Sequence, residues 1–457
     1  MPEDLKLRSL LLDAAERGVV YRESATGRPV APTPEAVIGA AKFIEPMPTE
    51  GTDDESVLAM LDEVGSPATI MMAGPRFFGF VIGGSLPVTV ATNWLTTAWD
   101  QNVGMHEVTP ATSTLERVAM DWMIDLFGLP KDAAASFVTG ATVANFTCLA
   151  AARNRIYSDI GWNVEADGLI GAPAVTVIVS EETHPTVFKS LGLLGFGRNR
   201  VVRAPVDGEG RMDVCRFPAI SGPTIICTQA GNVNTGAFDP VGEICEIAQP
   251  EGAWVHVDGA FGLWAATSPD RAHLCSGFAA ADSWATDAHK WLNVPYDSGI
   301  AFVRDTAALK SAMAITAEYL MTETEFRNPS DFTPELSRRA RGVDVWAALK
   351  SLGRKGLAEM IDGCCNNAVR FADGFRAAGF DVLNDVVINQ VLVSFGDDAM
   401  NRKIINEIQE EGTCWCGVTV WQGKTAMRIS VSNWSTTAED VDRSLEAIIA
   451  IAKRNRS

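Results

Sequence analysis

The chain is 457 residues long, with 38 Lys+Arg set against 57 Asp+Glu for a formal net charge of −19. At 47% hydrophobic and 21% charged residues the composition is that of a globular protein, which excludes a disordered or fibrous chain. The length allows about two to four domains, or one large and one smaller, and so acidic a chain is repelled by phosphate backbones and anionic membranes, so neither nucleic acid nor membrane is expected as a partner.

In chain order, residues 1–75 combine short amphipathic stretches with breakers at Pro29, Pro32, Pro34, Pro46 and Pro48, and read as an N-terminal arm or small helical segment. The opening stretch has acids among its bases and no long apolar core, so no secretory signal is expected. Two uncharged runs follow, residues 77–99 and 133–152, each as long as a membrane-spanning helix. Gly79, Gly83, Gly84, Pro87 and Asn93 interrupt the first, while the second is rich in Ala and Thr with Gly140 and Asn145 inside it. Insertion would be weakly driven, and both read as buried soluble structure. A helix is expected from Ser113, where Ser113 and Glu116 fit a capping box and Leu115, Val118, Ala119, Trp122, Met123 and Leu126 share one face. Gly128 and Pro130 end it.

Short apolar runs at 175–179, 224–228, Trp254–Asp258 and Gly299–Val303 alternate with helical segments, as buried parallel strands do. The fold class is α/β: a large domain over residues 76–345 with a mostly parallel central sheet, and a smaller C-terminal α+β domain over 346–457 with strands at 390–395 and 427–431. Nine cysteines are scattered without a metal or redox spacing, and read as reduced, mostly buried thiols of a cytoplasmic protein with no metal site.

Ligands of open α/β sheets sit at the C-terminal ends of strands. Four segments so placed are rich in small or reactive residues: Thr139-Gly140-Ala141-Thr142, Glu182-Thr183-His184-Pro185, His256-Val257-Asp258-Gly259-Ala260 and Thr286-Asp287-Ala288-His289-Lys290-Trp291. Signatures of P-loop, dinucleotide, zinc-protease and serine-hydrolase sites are absent from the sequence. A lone lysine is usually a solvated cation, but one beside buried aromatics, as Lys290 is beside Trp291, is a candidate Schiff-base amine. Asp258 ends an apolar strand, either as a core ion-pair partner or as the counter-charge of a buried cation. Gly140-Ala141-Thr142, opening a helix over 143–155, offers backbone N–H groups and a hydroxyl to a phosphate. A lysine for an aldehyde, an acid for a pyridine nitrogen and a phosphate cup are the groups that pyridoxal 5'-phosphate needs.

With those residues in place, the chain resembles the group II pyridoxal-phosphate-dependent amino acid decarboxylases of fold type I, the aromatic amino acid and glutamate decarboxylases. The resemblance runs from about Gly74 to the C-terminus, through Gly74-Pro75-Arg76-Phe77-Phe78-Gly79-Phe80, Thr114-Leu115-Glu116-Arg117 with Met120-Asp121-Trp122-Met123, the glycine-rich cup, residues 181–187, the stretch 231–239, and above all His256-Val257-Asp258-Gly259-Ala260 and Asp287-Ala288-His289-Lys290-Trp291-Leu292. It implies that Lys290 forms the Schiff base with the cofactor, Asp258 pairs with its pyridinium nitrogen, His184 stacks on the ring and Ala260 packs on the other face. Gly140, Ala141, Thr142, Asn232, Asp287 and His289 fall where such proteins hold the phosphate or line the site. The family often carries Asn-Pro-His-Lys where this chain has Asp287-Ala288-His289-Lys290, and a carboxylate near a phosphate is repulsive, so Asp287 is the weakest phosphate ligand of the set.

The resemblance further implies a tyrosine on a loop after the lysine that supplies a proton to the substrate carbon. Tyr319, 29 residues past Lys290, resembles it, and the polar stretch 322–337 reads as a flexible lid. Arg428, in Met427-Arg428-Ile429-Ser430, resembles the arginine that faces a substrate carboxylate; a strand-edge surface arginine is the alternative. Phe78 and Phe80 resemble the substrate-side wall, while Met72, Val81 and Gly104 stand where relatives acting on aromatic substrates place aromatic residues. The expected activity is decarboxylation of an L-amino acid to its amine and CO2 by a homodimer with its site at the interface. Carbon–carbon lyase cleavage, oxidative deamination to an aldehyde, and cofactor binding without catalysis remain open as alternatives.

Overall fold

The computed structural model describes residues 3–315 and 326–456. Seven strands form the central sheet: β1 (Ala134–Val138), β2 (Thr176–Ser180), β3 (Val202–Ala204), β4 (Thr224–Gln229), β5 (Trp254–Asp258), β6 (Ser283–Asp287) and β7 (Gly299–Val303). Their order is β1-β7-β6-β5-β4-β2-β3. The pairs from β6 through β5, β4 and β2 to β3 are parallel. Strand β7 corrects the expectation of a parallel run at 299–303, because it lies antiparallel to both β1 and β6. Burial on both faces makes a strand uniformly apolar whatever its direction, so Gly-Ile-Ala-Phe-Val carries no directional signal. Strands β1 and β6 were not separated from their neighbours in the sequence, since both merge into runs of small residues.

The helix Ala141–Asp159 leaves β1 through Gly140 and packs on β6 and β7. Its first turn can lie that close only because position 299 is glycine: a Cβ there would stand 2.4 Å from the Gly140 Cα. On the sheet's opposite face Trp264, Trp284 and Trp291 are fully buried.

The second uncharged run is thus β1 plus this helix, and the first ends in the helix Pro87–Trp99. Among the described residues no helix is long and apolar enough to cross a membrane. The helix expected from Ser113 begins three residues earlier, at Pro110, whose fixed φ suits a first turn. No capping box forms. The Ser113 hydroxyl instead donates to Thr109 O at 2.8 Å, and Glu116 makes a two-pronged pair with Arg338 at 3.0 and 2.9 Å, both side chains buried.

A second sheet is built from β8 (Asp381–Val382), β9 (Gln390–Ser394), β10 (Gly417–Trp421) and β11 (Lys424–Ser430), antiparallel in the order β10-β11-β9-β8. It meets the segment at 77–80 directly: Phe78 N–H donates to Trp415 O at 2.8 Å and Ser430 N–H to Phe78 O at 2.9 Å. Phe77 stacks on Trp415 with ring centroids 5.1 Å apart. The N-terminal stretch holds a 21-residue helix, Glu3–Glu23, longer than its breaker-rich surroundings suggest. Arg76 ties it in, donating to Thr26 O, to Thr413 O and to Asp440.

Candidate active site

The C-terminal ends of β4, β5 and β6, the start of the helix Ala141–Asp159, the turn at His184 and strand β11 enclose a cavity of about 610 Å³. Lys290, Asp258, His184, Ala260, Gly140, Ala141, Thr142, Asp287, His289, Arg428 and Phe80 all line it. Residues from six separate stretches of chain therefore meet in one place.

Asp258, the last residue of β5, is buried, and loss of water pushes its carboxyl above the usual range, opposed by its neighbours His184 and Lys290. Ala260 N–H donates to its Oδ1 at 3.2 Å and Asn145 Nδ2 to its Oδ2 at 3.1 Å. Strand alternation places Trp254, His256 and Asp258 on one face, and a relay follows. With Nδ2 of Asn145 spent on Asp258, its Oδ1 accepts from His256 Nε2 at 2.9 Å. His256 Nδ1 then accepts from the Ser283 hydroxyl at 2.9 Å, which itself accepts from Trp254 Nε1 at 2.9 Å. Every member is satisfied, so the carboxylate is held rigidly with one face toward the cavity. Burial pushes His256 down to about 3, so it stays neutral and serves as a fixed donor.

His184 is the N-cap of the helix Pro185–Leu193. Its Nδ1 accepts from Thr186 N–H at 3.4 Å and lies 2.7 Å from the Thr186 hydroxyl, which leaves the proton on Nε2. Burial lowers its pKa, so a neutral imidazole faces the cavity. His289 accepts from Ser298 N–H at Nδ1, 3.1 Å, and its ring stacks on Tyr296 at 4.3 Å. Lys290 Nζ is 3.0 Å from Asp287 Oδ2. Ala141 N–H, the first of its helix, donates to Asp287 Oδ1 at 2.5 Å.

Arg428 reaches the cavity from β11. No carboxylate pairs with it among the described residues; its Nε is buried without a partner, and burial lowers its pKa to about 10. Above it Thr419 donates to Asn234 Oδ1 at 2.7 Å, and both line the wall. Phe80 and Val81 sit with φ of 56° each, a left-handed pair unusual for a β-branched residue, held by the stitching of Phe78 to both sides.

Two residues named from the sequence stand elsewhere. Phe78 is in the core, edge-on to Phe371 at 5.0 Å, because the chain turns at Gly79 and Phe80, whose φ of 56° breaks the strand alternation that would otherwise put Phe78 and Phe80 on one face. Asn232 is buried in its own loop, where Oδ1 accepts from Asn234 and Thr235 N–H at 2.8 and 3.2 Å; Asn234 takes the cavity wall instead. Of the three positions set against aromatic substrates, Val81 lines the cavity and Met72 and Gly104 do not. Tyr319 lies outside the described residues. The later part of the stretch read as a lid is tied down: Arg327 lies over the Phe332 ring at 3.8 Å, and Ser330 N–H donates to Gly104 O at 3.0 Å. Asn145, His256, Gln229, Asn234 and Thr419 were not singled out; for His256 the signal was its position two before Asp258 on a strand.

The residues fit the expected cofactor. A buried carboxylate braced by Asn145 and the Ala260 N–H and open to the cavity suits a pyridinium nitrogen. A neutral imidazole and the small Ala260 allow a flat ring between them. At Gly140 a Cβ would stand 3.1 Å from the His289 ring and close the cradle at the helix start.

Comparison with known proteins identifies the family. The model of the pyridoxal-dependent decarboxylase conserved domain matches residues 47–396. The chain is 26% identical to the aromatic-L-amino-acid decarboxylase of Bacillus atrophaeus, over 99% of this chain and 98% of that protein. It is 26% identical to the L-2,4-diaminobutyrate decarboxylase of Rhizobium meliloti (strain 1021), over 96% and 90%. Its fold is similar to that of Oryza sativa TDC, solved with PLP and tryptamine, at a TM-score of 0.91 and 24% identity over 99% of each chain. Mouse CSAD is similar at a TM-score of 0.88 and 21% identity, over 98% of this chain and 99% of that one. The chain belongs to the pyridoxal-dependent decarboxylase family and is an amino acid carboxy-lyase that works with pyridoxal phosphate.

Proposed function

We propose that the chain converts an L-amino acid to its amine and CO2 in the cavity around Lys290, as a cytoplasmic homodimer. The observation that carries the reading is the convergence of Lys290, Asp258, His184 and an unpaired Arg428 on one cavity. The bound cofactor supplies an electron sink for the bond broken at the α-carbon. Lys290 Nζ is the amine that would hold the cofactor at its aldehyde. Asp258, braced by Asn145 and Ala260, would hold the pyridine nitrogen protonated. His184 and Ala260 would pack on the two faces of the ring, and the first turn of the helix Ala141–Asp159, with Thr142 and His289, would take the phosphate. Arg428 binds a carboxylate of the substrate, with Phe80 covering the opening. Tyr319 Oη returns a proton to the α-carbon.

The substrate side chain faces Val81, Asn234 and Thr419, a wall of mixed polarity with one aliphatic residue. Relatives named for aromatic, acidic and diamino acids make each class worth assaying. A homodimer is supported by the apolar side chains left in water on the N-terminal helix, Leu7, Leu11, Leu12, Val19 and Val20, and on the next long helix, Trp94, Leu95 and Trp99. Nine free cysteines support a reducing compartment. Borohydride reduction of the cofactor-loaded protein, followed by peptide mapping, tests the assignment. The label is expected on Lys290 and absent from Lys290→Ala; a label on another lysine would refute it. Tyr319→Phe is expected to keep the label while amine formation slows or turns to another product.

A further inference from the structure

Asp287 is not placed as a bystander. Its backbone is held at both ends: N–H donates to Ala260 O at 2.9 Å and its C=O accepts from Trp264 Nε1 at 3.0 Å. The side chain is almost wholly buried. One oxygen takes the first N–H of the helix Ala141–Asp159 at 2.5 Å, and the other lies 3.0 Å from Lys290 Nζ and 3.5 Å from His289 Nε2. A single carboxylate therefore engages the positive end of the helix and the reactive amine together. These are the two groups that the phosphate and the aldehyde of the cofactor have to reach.

We propose that Asp287 is an internal competitor for the phosphate: a positioning residue that occupies the anion cradle, holds the Lys290 ammonium in place, and must yield that cradle when a phosphate monoester binds. Resting on the cofactor site described above, this deepens it by giving Asp287 a role opposite to that of a phosphate ligand. A phosphate dianion and a carboxylate a few ångströms apart repel, so the phosphate contributes less to binding here than a helix start and a histidine would otherwise supply. The cofactor is then held in exchange with the surrounding pool more readily than with a neutral side chain at position 287. With Lys290 tied to Asp287, the amine and the cradle are released in the same event, so phosphate capture and access to the amine are coupled.

The test compares pyridoxal phosphate with pyridoxal, which lacks only the phosphate, on full-length protein stripped of cofactor, by absorbance or calorimetry. Asp287→Asn keeps the shape and an acceptor for Ala141 N–H while removing the charge. The ratio Kd(pyridoxal)/Kd(pyridoxal phosphate) is expected to rise about tenfold or more in Asp287→Asn, the scale of removing one like charge at this range. Inorganic phosphate should also compete with the cofactor more strongly in the variant. Asp287→Ser is expected to shift the ratio in the same direction, so that the test does not depend on one variant folding. An unchanged or lower ratio overturns the proposal, and so does an equal gain for both ligands, which would locate the effect at the amine alone. Borohydride labelling in the same samples separates the two failures: a ratio that does not move while Lys290 is labelled refutes only the role of Asp287, whereas a label away from Lys290 refutes the cofactor site and the proposal with it.

Discussion

Arg428 faces the cavity with no carboxylate paired to it among the described residues. It sits on a strand facing a cavity, half-buried, with Nε lacking a partner, and a buried guanidinium without a counter-ion is costly unless a ligand supplies one. A substrate carboxylate bound there in bidentate fashion would supply the missing counter-charge. Arg428→Gln should raise KM about 10- to 100-fold, the scale of a charged hydrogen bond at ~1.5–3 kcal/mol, with a smaller change in kcat. Steady-state kinetics on the best substrate checks this; a fall in kcat at constant KM would contradict it. At this scale the sequence was informative where a motif held several reactive residues together, as with Asp258 and with His289-Lys290. It was uninformative where direction decided the matter. Phe78 and Phe80 are two identical residues on opposite sides of a turn, and only the pairing of Phe78 with Trp415 and Ser430 tells them apart. Asn232 and Asn234 are separated in the same way, by which of them folds back on its own loop.

Strand β5 carries the relay that fixes Asp258, and the relay has a pH signature. His256 has a folded pKa of about 3 against about 6.5 unfolded, so between those values the unfolded chain binds the extra proton. The stability that depends on neutral His256 is complete above pH 6.5 and is lost as the pH falls toward 3. His256→Gln keeps a donor toward Asn145 but cannot take up the proton. Relative to that variant, the wild type should lose about 1.4 kcal/mol per pH unit on acidification through this window. Denaturant midpoints at several pH values measure the difference, and parallel curves would refute it. The helix Pro110–Leu126 gives a second expectation at this scale. Glu116 was legible as a cap and is instead the partner of Arg338, 222 residues away, a distance in sequence that no local pattern conveys. Glu116→Ala strands a guanidinium in the core and should cost about 3–5 kcal/mol, whereas replacing both partners by apolar residues should restore much of it. Equal losses in the single and double variants would argue against a buried pair.

For the whole molecule, alternation of apolar strands and helices was enough to identify the α/β class, the central sheet and the smaller C-terminal sheet. The antiparallel course of β7 was not legible, because a strand buried on both faces shows no asymmetry. The −19 net charge coexists with a cavity where Lys290 and Arg428 face Asp258 and Asp287, so global charge said little about the local field. The proposed homodimer would cover the exposed apolar side chains of the N-terminal helices with a second copy of the chain. Sedimentation equilibrium should return twice the chain mass, and a monomer at micromolar concentration would contradict the dimer.

The central claim is loss of a carboxylate as CO2 at a site built on Lys290. With pyridoxal phosphate present and a panel of amino acids labelled at the carboxyl carbon, the account predicts release of labelled CO2 from at least one of them. An equal amount of the corresponding amine should appear, and both should vanish in Lys290→Ala. Consumption of substrate to an aldehyde without matching amine, or CO2 release that survives in Lys290→Ala, would contradict it.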